Sequence, residues 1–216
     1  MKIQILNRFT KSVIFEHDEE DNTVVKTVEV AVKNEVSLKQ ANLNGANLNG
    51  ANLNGANLNG ANLNGATLID ATLIDATLID ATLIGATLID ATLNGATLIG
   101  ATLINTNFNY ATLNDTSLNY TTLNGANLNY ATLNGATLFG ATLNDTSLSF
   151  ANLNGATLIG ATLNGATLNG ANLSFATLKG TTLNGTDFSF ATLFGADFSG
   201  AEFSGVNLDN TKWCKS

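Results

Sequence analysis

The residues that could do chemistry are few, and they stand apart. His17 is the single histidine, set in an acidic stretch, and Cys214 the single cysteine, within the last three residues. A histidine-activated nucleophile needs its partners within hydrogen-bond reach, and a structural zinc site needs several His or Cys ligands, so neither assembles within one chain. Asp70, Asp75, Asp80 and Asp90 fall on one five-residue beat and could gather loosely around a hard cation, but carboxylates on the corners of a solvated rod are read here as solubilising. The 20 glycines follow the same beat and never give the strand, loop and helix context of a phosphate-binding loop. The expectation is a protein that is not an enzyme and holds no cofactor and no metal.

Charge and composition narrow the partners. The chain has 216 residues, a formal net charge of -8, only 12% charged residues and no proline. Lys and Arg clusters are lacking, which argues against direct nucleic-acid binding. A lone cysteine allows no internal disulfide. The first residues are polar and charged and no twenty-residue apolar run occurs, so neither a signal peptide nor a membrane span is expected, and a soluble cytoplasmic protein is the default.

What must position any functional residue is a repeat. From Val36 to Lys215 a leucine or aromatic residue returns at every fifth position, from Leu38 and Leu43 through to Leu208 and Trp213, in 36 units without a slip. With that residue as the centre, the one two before it is alanine except at Val36, Val206 and the threonines 106, 116, 121, 146, 181, 186 and 211, and every glycine lies two after it. A period this strict signals a solenoid. Small and large residues two apart share one side of an extended segment, which places Ala and Leu inside. Gly, Asp and Asn two after the centre suit a tight corner. Since Tyr110, Tyr130, Phe150 and Phe190 occupy the same position, a positive φ is not expected to be obligatory there.

The preceding residues, 1–35, read as an N-terminal α+β cap. Lys2 to Leu6 and Ser12 to Glu16 pattern as the strands of a hairpin spanning 2–16, with a loop over 7–11 and a solvated acidic connection over 17–22. Val24, Val25, Val28, Ala31 and Val32 form one stripe of a helix over 23–34, which Asn22 or Thr23 can cap, although Val28, Val30 and Val32 also alternate as a strand would. The piece is placed to cover the open first turn of a solenoid spanning 36–216.

The unit itself, Ala-(Asn/Thr)-Leu-(Asn/Ile)-Gly as in Ala41 to Gly45 or Ala81 to Gly85, resembles the pentapeptide repeat family, and the resemblance covers 180 of the 216 residues. It implies an all-β solenoid, a right-handed quadrilateral β-helix with four units per coil. Nine coils at about 4.8 Å each make a rod roughly 43 Å long. It also brings an alternative function, because some members mimic B-form DNA and inhibit DNA gyrase. Here the repeat region is only mildly acidic, has no loop insertions between coils, and carries an uncharged isoleucine belt.

Columns twenty residues apart define the surface. Outward isoleucines, one after the centre, concentrate at Ile69, Ile74, Ile79, Ile84, Ile89, Ile99 and Ile104, in the second to fourth coils, and form the candidate interaction surface. Tyr110, Tyr130, Phe150 and Phe190 follow one corner as an aromatic ladder. Thr82, Thr102, Thr122, Thr142, Thr162 and Thr182 form a column like one half of an ice-binding face, without the second threonine column such a face needs. Phe198, Phe203, Leu208 and Trp213 make the ninth coil bulky, and an open coil edge there is a template for a homodimer, unless Trp213 folds over and blocks it. The leading functional reading is a non-enzymatic structural or interaction rod whose partner is a protein or a second copy of itself.

Overall fold

The computed structural model describes residues 1–213; Cys214, Lys215 and the end of the expected second domain lie outside the described residues. β1 (Lys2–Leu6) and β2 (Val13–Asp18) form an antiparallel hairpin in which Lys2 faces Asp18 and Ile5 faces Phe15, with the register shifting between Ile5 and Leu6. The loop closes through the Asn7 side chain, whose Oδ1 accepts from the amides of Phe9 and Thr10 at 2.9 and 3.0 Å. α1 spans Val24–Lys33; the Thr23 hydroxyl accepts from the Lys26 amide at 3.1 Å and so caps its first turn. The helical stripe prevails over the strand-like alternation because it buries Val28 and Ala31 completely. The acidic connection is shorter and less solvated than the sequence suggested. His17 and Asp18 belong to β2, and Asn22 is buried, donating to the His17 carbonyl at 2.8 Å and accepting from the Thr27 hydroxyl. Next to it, Lys26 and then His17 hydrogen-bond Glu19 and hold its carboxyl below the usual range.

From Asn42 onward each turn of the chain lies on the one before. Parallel bridges join residues twenty apart, from Asn42–Asn62 to Thr192–Lys212, so four five-residue sides make one turn of a β-solenoid. One unit shows the bonding. The Leu123 amide donates to Thr142 O at 2.7 Å and the Gly125 amide to Asn144 O at 3.0 Å, while Thr142 N returns a bond to Thr121 O at 2.9 Å. Within the unit the Ala126 amide donates to Leu123 O at 2.9 Å, closing a β-turn. The interior is aliphatic packing, with Leu and Ala of successive turns at or near zero exposure. Threonines that replace interior alanines are satisfied there: the Thr106 hydroxyl donates to Leu83 O at 2.7 Å and that of Thr146 to Leu123 O at 2.9 Å.

The corners correct the sequence reading. Every residue two after a centre, from Gln40 to Asn210, has a positive φ, including Tyr110 at 60°, Tyr130 at 59°, Phe150 at 58° and Phe190 at 59°. The turn needs a left-handed third residue, as in a type II turn, whatever side chain stands there. That side chain then leans along the rod onto the next corner. A Cβ built on Gly170 would meet the Phe150 ring at 2.7 Å, whereas nothing lies within 4 Å of one built on Gly155.

The hairpin and helix sit against the first turn. Asn42 N donates to Leu6 O at 2.8 Å, Arg8 N to Gln40 O at 2.7 Å and Val36 N to Ala31 O at 2.9 Å. The Glu29 carboxylate accepts from the Asn52 amide at 2.8 Å. Ile5, Val28 and Ala31 continue directly into the leucine core.

Leu123→Ala should destabilise by about 2 to 5 kcal/mol, because the hydrogen-bonded turns above and below cannot collapse into the cavity. Its outward neighbour also contributes: Asn124 Oδ1 accepts from the Asn144 amide at 3.1 Å, so Asn124→Ser should cost about 1 kcal/mol. Chemical melts of the two variants rank them, and equal losses would overturn the inside–outside assignment. In the same assay Gly155→Ala should lose only about 1 to 2 kcal/mol, the cost of an L-residue in the left-handed region. Gly170→Ala must lose more, because the new methyl displaces the Phe150 ring; equal melting of the two glycine variants would contradict the leaning corner.

Candidate interaction surface

From Ala61 to Phe190, backbone ladders and turn bonds satisfy every amide of a unit except the one immediately after the centre. Side chains supply that acceptor in two ways. An asparagine before the centre can turn back on its own unit, as when the Asn109 amide donates to Asn107 Oδ1 at 3.0 Å. Otherwise an asparagine one full turn below reaches up, as Asn114 Oδ1 does to the Asn134 amide at 3.0 Å. The outward asparagines are therefore part of the bonding, a role the sequence reading missed although their recurrence at a fixed place was its visible trace.

The isoleucines interrupt this system. Ile69, Ile74, Ile79 and Ile84 themselves receive the asparagine bond, at 2.8 to 3.0 Å from Asn49, Asn54, Asn59 and Asn64. They pass none on. Among the described residues the amides of Ile89, Asn94, Ile99 and Ile104, one turn above them, have no acceptor, and neither do those of Asn119 and Asn124 above Ile99 and Ile104. The band is only partly in contact with solvent. Ile74 and Ile84 are 37% and 41% exposed, and Ile69, Ile79, Ile89, Ile99 and Ile104 are half-buried. Ile69 stands beneath Ile89, Ile79 beneath Ile99 and Ile84 beneath Ile104, so the band wraps several sides of the rod.

The aromatic corner is brought together in part. Tyr110 and Tyr130 stack at 4.9 Å between centroids with planes 15° apart, and Tyr130 and Phe150 at 5.2 Å and 12°. Gly170 ends the stack, and Phe190, two turns above Phe150, is not in ring contact with it among the described residues. Two edge-to-face pairs on other edges escaped the sequence reading, Tyr120–Phe139 at 5.3 Å and Phe175–Phe194 at 5.1 Å, because each joins a corner residue to a side residue one turn above. At the far end Phe198 gathers Phe203 at 5.5 Å and Trp213 at 5.6 Å, with Leu208 beside them in the same turn. Phe203, Leu208 and Trp213 remain 45%, 38% and 44% exposed.

His17 hydrogen-bonds Glu19 at 2.9 Å in the N-terminal unit, far in sequence from the corner aspartates. Among the described residues no group of His, Cys, Asp and Glu is arranged to hold a metal ion, and no helix is long and apolar enough to cross a membrane.

Known proteins place this architecture. The family model for pentapeptide repeats matches in eight copies, over residues 34–68, 71–109, 106–145, 146–185 and 171–210. HetL, a pentapeptide repeat protein involved in heterocyst differentiation regulation from the cyanobacterium Nostoc sp. strain PCC 7120, is 31% identical over 79% of this chain and 82% of its own, with a TM-score of 0.40. Rfr23 from the cyanobacterium Cyanothece 51142 is 29% identical over 59% of this chain and 63% of its own, with a TM-score of 0.20. QnrB1, a plasmid-mediated fluoroquinolone resistance protein, is 22% identical over 77% of this chain and 89% of its own, with a TM-score of 0.40. Among curated protein sequences none matches. With the family's repeat running through most of its length, the chain belongs to the pentapeptide repeat family.

Proposed function

We propose that this protein is a non-enzymatic binding rod, a right-handed quadrilateral solenoid of nine coils capped by residues 1–35, whose isoleucine band contacts a partner protein. One observation carries this reading. Outward isoleucines deprive the next turn of an acceptor that asparagine supplies elsewhere on the same rod, so their presence is not explained by the needs of coiling.

Replacing Ile69, Ile74, Ile79 and Ile84 together by asparagine separates the two possible roles. Each new side chain offers an acceptor to the amide above it, so the variant should melt no lower than the parent, and each restored bond is worth about 1 kcal/mol. It should fail to capture the protein that the parent captures from extracts of the source cells. A variant that melts lower would make the band a packing device, and unchanged capture would remove it as the contact.

A specific observation favours a second contact, a twofold dimer through the last turn. Phe203, Leu208 and Trp213 are exposed there and gather around Phe198. An exposed apolar patch of this kind marks a contact surface, and an isologous pairing covers it on both copies at once. Sedimentation equilibrium should give a dimer mass for the intact protein in the micromolar range and a monomer mass for Trp213→Lys. A monomer mass for the intact protein sinks the dimer.

A further inference from the structure

Four of the seven isoleucines in the band are followed directly by an aspartate at the corner, Asp70, Asp75, Asp80 and Asp90, and all four carboxylates are exposed. Every ion pair among the described residues lies within the N-terminal unit, joining Met1 to Asp18, Lys2 to Glu16 and Glu19 to His17 and Lys26. The band is therefore apolar and anionic together, and among the described residues none of its four aspartates is ion-paired.

One edge concentrates these properties. Asp70 and Asp90 occupy it on successive turns, Ile69 and Ile89 stand on the side leading into it, and Ile74 on the side leading away. On the next turn up the same edge carries Tyr110, half-exposed, with one face of its ring covered by Tyr130. An exposed ring one turn along the edge from a carboxylate attracts a cation by quadrupole and by charge at once. The diagonally opposite edge differs. There Asp80 lines a cleft of about 440 Å³ with Arg8 and Lys39, so the chain's own cations already stand near it. Nucleic acid and anionic lipid are disfavoured at the Asp70–Asp90 edge because their phosphates would meet like charge.

We propose that this edge docks a partner protein through a segment in which lysine or arginine alternates with large apolar residues. The cationic heads lie against Asp70, Asp90 and the exposed ring of Tyr110, and the apolar side chains against Ile69, Ile89 and Ile74. This rests on the reading of the isoleucine band as a protein contact and adds the sign of the partner's charge.

The test uses the full chain and three short labelled synthetic peptides: alternating lysine and leucine, alternating glutamate and leucine, and alternating lysine and serine. The lysine–leucine peptide should bind best. Asp70→Asn with Asp90→Asn should weaken it about tenfold, the scale of two exposed ion pairs and a cation–π contact, and Ile69→Asn with Ile74→Asn should weaken it comparably. Asp145→Asn with Asp209→Asn, which removes equal charge farther along the rod, should leave it within about twofold. Equal weakening by the two aspartate pairs would overturn the site in favour of net-charge attraction. If the glutamate–leucine peptide bound instead, sensitive to Ile69→Asn with Ile74→Asn, the cationic partner would be wrong and the isoleucine contact would stand. If no peptide's binding responded to the isoleucine substitutions, both readings would fall. Melting of each variant verifies that the solenoid is intact.

Discussion

Everything in this rod depends on one residue in five accepting a left-handed backbone. The residue two after each centre turns the chain with a positive φ at every described corner from Gln40 to Asn210. Only because each side then has the same length do residues twenty apart lie in register, with Leu above Leu and Ala above Ala inside. A corner that took in one residue more would slip the two-residue alternation and turn a leucine toward water. Glycine meets the requirement without strain, and its 20 occurrences all fall there. Any other L-residue carries a penalty of about 1 to 2 kcal/mol, least for Asp and Asn.

The aromatic corners are the sharpest test of that constraint. Tyr110, Tyr130 and Phe150 hold the same strained conformation as the glycines, and ring stacking worth about 0.5 to 1.5 kcal/mol per pair offsets it. Tyr120 and Phe175 find edge-to-face partners in Phe139 and Phe194. Phe190 bears the same cost at φ 59° with no ring contact among the described residues, and it is 59% exposed. The stack is thus a compensation that works where rings fall on adjacent turns. It stops where glycine takes the next corner.

What the sequence made legible was whatever follows from period. The alternation of Ala41 with Leu43, carried through every unit, is enough to separate inside from outside, and the helix over Val24–Lys33 announces itself by the spacing of Val28 and Ala31 behind a capping threonine. What stayed hidden was whatever depends on the neighbouring turn. That Tyr110 must be left-handed is not visible from its side chain, because the backbone of the turn decides it and not the propensity of the residue. That Asn124 matters is invisible until Asn144 is seen twenty residues on, its amide aimed at the Asn124 side chain. The same holds for Thr106, a polar residue at an interior position, whose hydroxyl finds the Leu83 carbonyl on the turn below. The break in the aromatic ladder before Phe190 also needed the structure, since column membership alone does not say which rings touch.

The position after each centre therefore carries a choice between two uses. Asparagine there serves the solenoid by supplying the acceptor for the next turn; isoleucine there removes it and offers an apolar group to the outside. One side of the rod makes both choices in a single column: Ile84 and Ile104 stand below Asn124, Asn144, Asn164 and Asn184, with the same alanine-or-threonine and leucine interior beneath all of them. The asparagine half forms a continuous chain of side-chain bonds, Asn124 to Asn144, Asn144 to Asn164 and Asn164 to Asn184, each at 3.1 Å. The isoleucine half folds into the same turns without it. Since coiling tolerates either residue and bonding favours asparagine, the isoleucines gain nothing from the backbone they cover. Their contribution has to be sought in what they face, and four of them face it with an aspartate at their side.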